Sequence, residues 1–115
     1  MSLSNPNFMN GVPELLILRL LEGREMYGYE LVQAIRMATG DAISVGEGVV
    51  YPVLHALERE GALKSRRQAV NGRTRVYYSV TRSGTKHLAG LVVQWNRITG
   101  AVGHLVKEGR HVPAV

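Results

Sequence analysis

The segment Ser44–Gly61 constrains the fold most, because its aliphatic residues recur at helical spacing and leave the opposite helix face polar. The apolar stripe consists of Val50, Val53, Leu54 and Leu57. The opposite face consists of Gly48, Tyr51, Pro52, His55 and Arg59. Its phenol, imidazole and guanidinium can donate hydrogen bonds outward, to base edges or phosphates. The pattern predicts a helix that buries one face and offers the other to a ligand.

The sequence also marks the two ends of this helix. Ser44, followed three residues later by Glu47, is typical of a capping box, in which each side chain bonds the backbone of the other. Gly61 supplies a residue that can adopt the left-handed conformation and end the helix. We therefore expect a helix from Ser44 to Gly61.

Basic residues are concentrated in the segment that follows. The chain carries a net charge of +5, with 14 basic and 9 acidic residues. The segment Ala62–Arg82 has no acidic residue and holds Lys64, Arg66, Arg67, Arg73, Arg75 and Arg82. The other 8 basic residues are outnumbered by the 9 acidic ones, so this segment carries the whole excess. Such an uneven distribution indicates a surface that binds a polyanion.

Composition excludes several classes of protein. At 115 residues and 45% hydrophobic, the chain predicts one small domain. It has no cysteine, which fits a reducing cytoplasm, and no apolar run of membrane-spanning length. With a single Asp, no thiol and no glycine-rich phosphate loop, we expect neither an enzyme nor a bound cofactor. The four histidines lack metal-ligand spacing, so we expect no metal site.

Two shorter helices are expected before Ser44. Residues 1–10 are polar and predicted to be irregular. The leucine-rich run Pro13–Glu22 predicts a central helix that Gly23 ends. After a turn at Arg24–Met26, Tyr27–Ala38 predicts a second helix. Three short helices, the last with a polar outer face, indicate a helix-turn-helix arrangement.

A β-hairpin is expected directly after the third helix. Ala62–Ala69 and Thr74–Val80 resemble strands, and Asn71-Gly72 between them is the strongest short hairpin signal. This order predicts a mostly α fold with a small β-hairpin, a winged helix-turn-helix. Arg73 and Arg75 would lie at the tip of the wing, where they can reach a phosphate or a narrow minor groove.

A helix of roughly 25 residues, from Arg82 to about residue 108, is predicted to close the chain. Its apolar residues repeat at spacings of 3 and 4, as in a seam that packs on another helix: Leu88, Leu91, Trp95, Ile98, Val102 and Leu105. We expect a homodimer, with residues 11–81 as the DNA-binding domain and residues 82–108 as the dimerisation helix.

The chain resembles the PadR-like transcriptional regulators over roughly residues 11–107. The matching blocks are GVPELLILRLL at 11–21, YGYEL at 27–31, GVVYPVLHALEREGAL at 48–63 and GRTRVYYSVTRSG at 72–84, with Trp95 in the closing helix. The resemblance implies a dimeric winged-helix repressor that binds double-stranded DNA and that a small molecule releases in some members. The short final helix resembles the compact branch of that family.

The candidate DNA contacts follow from the polar helix face, the wing and the resemblance. They are Tyr27, Gly48, Val49, Tyr51, His55, Arg73 and Arg75. Structural alternatives stay open for five of them: Tyr51 packing at the domain edge, His55 solvated, Tyr27 capping its helix, and Arg73 and Arg75 at an ordinary solvated strand end. Family members often have Thr or Ser where this chain has Val49, which can contact a thymine methyl group.

Trp95 has two interpretations. A lone tryptophan on an apolar stripe belongs most often to a core or an interface. If a two-fold axis brings both copies together, the two indoles can instead hold a planar aromatic effector between the subunits.

The alternative function is a winged helix that binds proteins, or nucleic acid without operator specificity. An all-basic wing argues against a protein partner, unless that partner is acidic.

Overall fold

A computed structural model describes the backbone of residues 6–108 and the side chains of residues 11–108. It contains four helices and a three-stranded antiparallel sheet within this range. In chain order the elements are α1 (Pro6–Gly23), β1 (Met26–Tyr27), α2 (Gly28–Ala38), α3 (Glu47–Arg59), β2 (Leu63–Val70), β3 (Arg73–Val80) and α4 (Arg82–Glu108). The order confirms the predicted three helices, hairpin and long closing helix.

The core is built around α1, whose Ile17 and Leu18 are fully buried. α2 and α3 pack on α1 and on each other, and the sheet adds Met26 and Tyr78 to the same cluster. The other fully buried large side chains come from α2 and α3: Leu31, Ile35, Val50, Leu54 and Leu57. Each such side chain contributes about 1.5–3 kcal/mol when it leaves water. The predicted apolar stripe of α3 is therefore confirmed.

The first helix begins earlier than the sequence predicts. α1 starts at Pro6, so Pro13 lies inside the helix and residues 6–10 are helical instead of irregular. The fixed φ of proline suits the first helical position, which explains a start at Pro6. Pro13 lacks the amide hydrogen that a helix interior uses, but the helix continues through it to Gly23, as predicted.

The predicted capping box of the third helix is wrong. α3 begins at Glu47, and its N-cap is Gly46, which receives no side-chain hydrogen bond. The Gly46 carbonyl accepts the first helical hydrogen bonds, from the amides of Val49 and Val50 at 3.1 Å each. Ser44 therefore lies two residues outside the cap.

The C-terminal end of α3 is as predicted. Gly61 adopts a φ of +83°. Its amide donates to the Glu58 carbonyl at 3.0 Å, and the Ala62 amide donates to the Leu57 carbonyl at 2.9 Å. These two bonds form a Schellman motif, which ends the helix and directs the chain into β2.

The predicted hairpin is confirmed, but each strand extends one residue farther toward the turn than predicted. The strands run to Val70 and from Arg73, so Asn71 and Gly72 alone connect them. Both turn residues have positive φ, 50° and 78°. This is the type I′ geometry that matches the twist of the flanking strands.

A third strand was missed in the sequence. β1 pairs with β3, with Met26 opposite Tyr78 and Tyr27 opposite Tyr77, so β3 is the central strand. A strand of two residues is too short to show alternation, so the sequence predicts a turn at Met26 and a helix that begins at Tyr27.

The start of α4 is fixed against the end of α3. The Thr81 hydroxyl donates to the Gly61 carbonyl at 2.6 Å and accepts from the Gly84 amide at 3.0 Å. Gly84 is buried, and a Cβ atom there would lie 2.0 Å from the Ala62 carbonyl oxygen. Only glycine allows this close approach.

Beyond its first turns, α4 extends away from the rest of the molecule. Leu88, predicted to lie at the dimer seam, is instead 2% exposed, because it packs in the core of its own chain. Farther along the seam, Val102 and Leu105 are each 55% exposed. The radius of gyration is 16.8 Å, against about 13 Å for a compact chain of this length.

Within residues 6–108, no helix is both long and apolar enough to cross a bilayer.

Gly84→Ala should destabilise the protein by about 1–3 kcal/mol, because the added methyl group would displace the Ala62 backbone. The measurement is urea unfolding at one protein concentration. Gly90→Ala is the matched control: it lies in the same helix with open space around it, where alanine should stabilise by up to about 1 kcal/mol. Equal stability of the two variants would contradict this account.

Candidate nucleic-acid interface

The outer face of α3 carries four of the predicted contact residues. Gly48, Val49 and His55 are exposed, and Val49 is 41% accessible although it is apolar. A Cβ atom on Gly48 would meet nothing within 4 Å, so packing within the described chain does not require glycine there. The N-terminal end of this face is therefore open to close approach by a ligand.

Tyr51, the fourth residue, packs its ring across the start of α2. A Cβ atom on Gly28 would lie 2.4 Å from the Tyr51 ring. The side chain is half-buried, and burial raises the pKa of the Tyr51 hydroxyl, with smaller contributions from Glu47 and Tyr27. The Tyr51 ring therefore packs at the domain edge, which is the structural alternative left open for this residue. Its centroid also lies 6.1 Å from that of the His55 ring.

Tyr27 joins the start of α2 to the wing. It is the N-cap residue, and its backbone amide donates to the Glu30 carboxylate at 3.1 Å. Its ring meets Tyr77 edge-on, with centroids 5.5 Å apart. The residue therefore lies at a helix start, as the capping alternative supposed, with its ring on the outer face of the sheet.

The two arginines predicted at the wing tip occupy different environments. Arg73 is exposed beside the Asn71-Gly72 turn. Arg75 is partly buried, with its guanidinium carbon 4.4 Å from the centroid of the Tyr27 ring. Hydrogen bonding with Tyr77 raises the pKa of the Arg75 guanidinium. Arg73 is thus at the tip, whereas Arg75 is held against the start of α2.

An ion pair between Glu25 and Arg66, which the sequence does not predict, lies farther along the outer face of the sheet. The guanidinium of Arg66 stacks 4.9 Å from the Tyr77 ring centroid. Its Nε donates to Glu25 Oε1 at 2.9 Å, its Nη2 donates to Glu25 Oε2, and its Nη1 donates to Gln68 at 2.6 Å. Hydrogen bonding with Arg66 lowers the pKa of the Glu25 carboxyl. Glu25 and Arg66 are 41 positions apart, so no local pattern reveals their contact.

Successive contacts join these groups into one surface, which we call the aromatic–basic strip. Tyr27 contacts both Arg75 and Tyr77, and the Tyr51 ring lies against its neighbour Gly28. The strip runs from α3 across the start of α2 to the wing and consists of His55, Tyr51, Tyr27, Arg75, Tyr77 and Arg66. Its chemistry, stacked rings and guanidinium groups, suits phosphates and the faces or edges of bases.

Trp95 and the later seam residues lie on α4. Trp95 is partly buried, and its carbonyl accepts from the Thr99 hydroxyl at 2.7 Å. Leu91 packs against the core, whereas Ile98 is 37% exposed. The apolar stripe thus changes from a core contact to an exposed surface along the helix.

One group of metal-ligating side chains occurs within residues 6–108. The ligand atoms of Glu14, Glu60 and His87 lie within 4.8 Å of one another. His87 Nε2 is 3.6 Å from Glu14 Oε2, which makes an ion pair when the imidazole is protonated. The absence of a metal site therefore stays a prediction.

The described elements define a winged helix: a helix-turn-helix whose polar α3 face is continuous with a basic hairpin. Comparison with known proteins agrees. Residues 17–90 match the model of the transcriptional regulator PadR-like family. The transcriptional regulator Rv3488 of Mycobacterium tuberculosis is 34% identical over 77 residues, 67% of this chain and 69% of that protein.

Solved structures show the same fold. A transcriptional regulator from Clostridium thermocellum superposes with a TM-score of 0.80 at 26% identity, covering 90% of this chain and 99% of that one. Bacillus subtilis PadR in complex with operator DNA gives a TM-score of 0.66 at 24% identity, covering 90% of this chain and 50% of that one. The chain belongs to the PadR-like family of transcriptional regulators, which confirms that it is not an enzyme.

Gly28→Ala should lower the pKa of Tyr51 toward the ordinary tyrosine value of about 10. The methyl group would occupy the ring's position, and burial, the main cause of the raised pKa, would be lost. In the wild type Tyr51 should therefore deprotonate at higher pH than in the variant. NMR titration of ¹³C-labelled tyrosine, assigned with Tyr51→Phe, measures this.

The control is Gly23→Ala, at a glycine with open space around it, which should leave the Tyr51 pKa unchanged. An unchanged pKa in Gly28→Ala would show that the ring does not rest on this glycine.

Proposed function

We propose that this chain is a homodimeric, DNA-binding repressor that acts in the cytoplasm. Two copies of α3 enter the major groove at the two halves of a pseudo-palindromic operator. The observation that carries the proposal is the aromatic–basic strip, which joins the exposed face of α3 to the wing across one continuous surface. In this proposal residues 11–81 bind DNA and residues 82–108 form the dimerisation helix.

The open N-terminal end of α3 supports its insertion into the groove. In helix-turn-helix proteins the N-terminal residues of the second helix contact base edges. Here those residues are Gly48, which leaves space for a close backbone approach, and the exposed Val49, which can contact a thymine methyl group. His55 and Tyr51 follow on the same face and contribute hydrogen-bonding groups.

The wing supplies affinity that does not depend on sequence. Arg73, exposed at the tip, is placed to contact a phosphate or the minor groove, and Arg75 lies at the junction with the start of α2. Bacillus subtilis PadR, which shares the fold, was solved in complex with operator DNA, which supports DNA binding by this chain.

The exposed half of α4 supports the homodimer. Ile98, Val102 and Leu105 continue the spacing of Leu91 but are exposed, with no cover from the described residues of their own chain. A second α4 would bury them in a helical seam. Because α4 is fixed at the end of α3, the subunit arrangement would set the separation of the two α3 helices, about 34 Å for one turn of DNA.

The same geometry gives a route for effector control. Trp95 lies on the same stripe of α4, three residues before Ile98, so both indoles of a dimer would approach one interface. A planar aromatic compound bound between them would release DNA only if it preferred one subunit arrangement over the other.

Val102→Glu should convert the dimer into a monomer at micromolar concentration, because two carboxylates would be buried at the seam. Val93→Glu is the matched control: Val93 is 68% exposed against 55% for Val102, and nine residues place it on the opposite side of the same helix. Light scattering after size exclusion measures the mass. If both variants stay dimeric, the seam is not the interface.

Arg73→Ala should weaken binding to every duplex tested and reduce the slope of log K against log salt by about 0.9, the loss of one phosphate contact. Arg97→Ala, an exposed arginine on α4, removes the same charge away from the wing and should leave the slope unchanged. Fluorescence anisotropy with a short labelled duplex measures both. If Arg73→Ala lost only discrimination between sequences, the assignment of the wing to backbone contacts would be wrong.

A further inference from the structure

The aromatic–basic strip ends on an acidic group. Arg66 is the last cation of the strip, and Glu25 binds it through both carboxylate oxygens. The third donor of the guanidinium contacts Gln68, and one of its faces covers Tyr77. The edge of the Arg66 guanidinium that faces Glu25 is therefore occupied by the carboxylate.

A phosphate would use the same edge of the guanidinium. Carboxylates and phosphates both accept two parallel hydrogen bonds from an arginine, so they compete for one geometry. The pair is accessible, with 50% of the Arg66 side chain and 37% of the Glu25 side chain exposed. A surface ion pair of this kind contributes so little free energy that a DNA phosphate can displace the carboxylate from the arginine.

We propose that Glu25 competes with DNA phosphate for Arg66, so that one cation of the strip is withheld from duplexes that do not displace the carboxylate. The inference rests on the proposed function, because it assigns a role to the end of the same DNA-binding surface. Glu25 thereby weakens the part of DNA binding that does not depend on sequence.

The test is Glu25→Gln in the full-length protein, with a short fluorescein-labelled duplex of arbitrary sequence. Anisotropy titrations over a range of salt should show about two- to fivefold tighter binding at moderate salt. The slope of log K against log salt should become steeper by about 0.9, because one more phosphate is neutralised. Adding Arg66→Gln to this variant should return both quantities to the wild-type values.

Glu22→Gln is the matched control. Glu22 also makes an exposed ion pair, with Arg19 at 2.9 Å, and its side chain is 38% exposed. The substitution raises the net charge by the same amount but leaves the Glu25–Arg66 pair in place, so the slope should not change.

Three results would overturn the inference: equal slopes for the two Gln variants, weaker binding by Glu25→Gln, or loss of its folding in circular dichroism. Each would make the ion pair a structural link between the α1–β1 connection and the wing. A wild-type protein that bound no duplex would instead refute the proposed function itself.

Discussion

The contact between the start of α4 and the end of α3 is the constraint on which the rest of the molecule depends. The Thr81 hydroxyl links the Gly61 carbonyl, at the end of α3, to the Gly84 amide, in the first turn of α4. The absence of a side chain at Gly84 lets α4 lie directly on the Ala62 backbone. The end of α3, the start of β2 and the start of α4 are therefore one rigid junction. In the proposed dimer, the arrangement of the two α4 helices would be transmitted to α3 through this junction.

Charge alone does not describe the surface that we propose binds DNA. The basic segment carries six cations in sequence, but the structure gives them different environments. Arg66 is bound by Glu25, Arg75 is stacked on Tyr27, and Arg73 is exposed at the turn. The aromatic rings thus orient some cations while a carboxylate occupies another. The surface is defined by these contacts as much as by its net charge.

The sequence predicted most of the fold because the decisive signals are local. Leu54 and Leu57 at helical spacing, and Asn71-Gly72 between two strands, specify elements without reference to the rest of the chain. The failures have physical causes. β1 is too short for a period, and the helix start at Gly46 uses only backbone atoms, so Ser44 was a misleading signal. The Glu25–Arg66 pair needs the tertiary structure to bring its two residues together.

The central claim is that two linked copies of α3 bind one operator. The most direct measurement is selection of genomic DNA fragments by the purified protein at moderate salt, followed by sequencing. The account predicts enrichment of an imperfect palindrome near a promoter, with half-site centres about one helical turn apart. Salt-sensitive binding without any enriched sequence would contradict it, and would indicate a nucleic-acid-binding module without operator specificity.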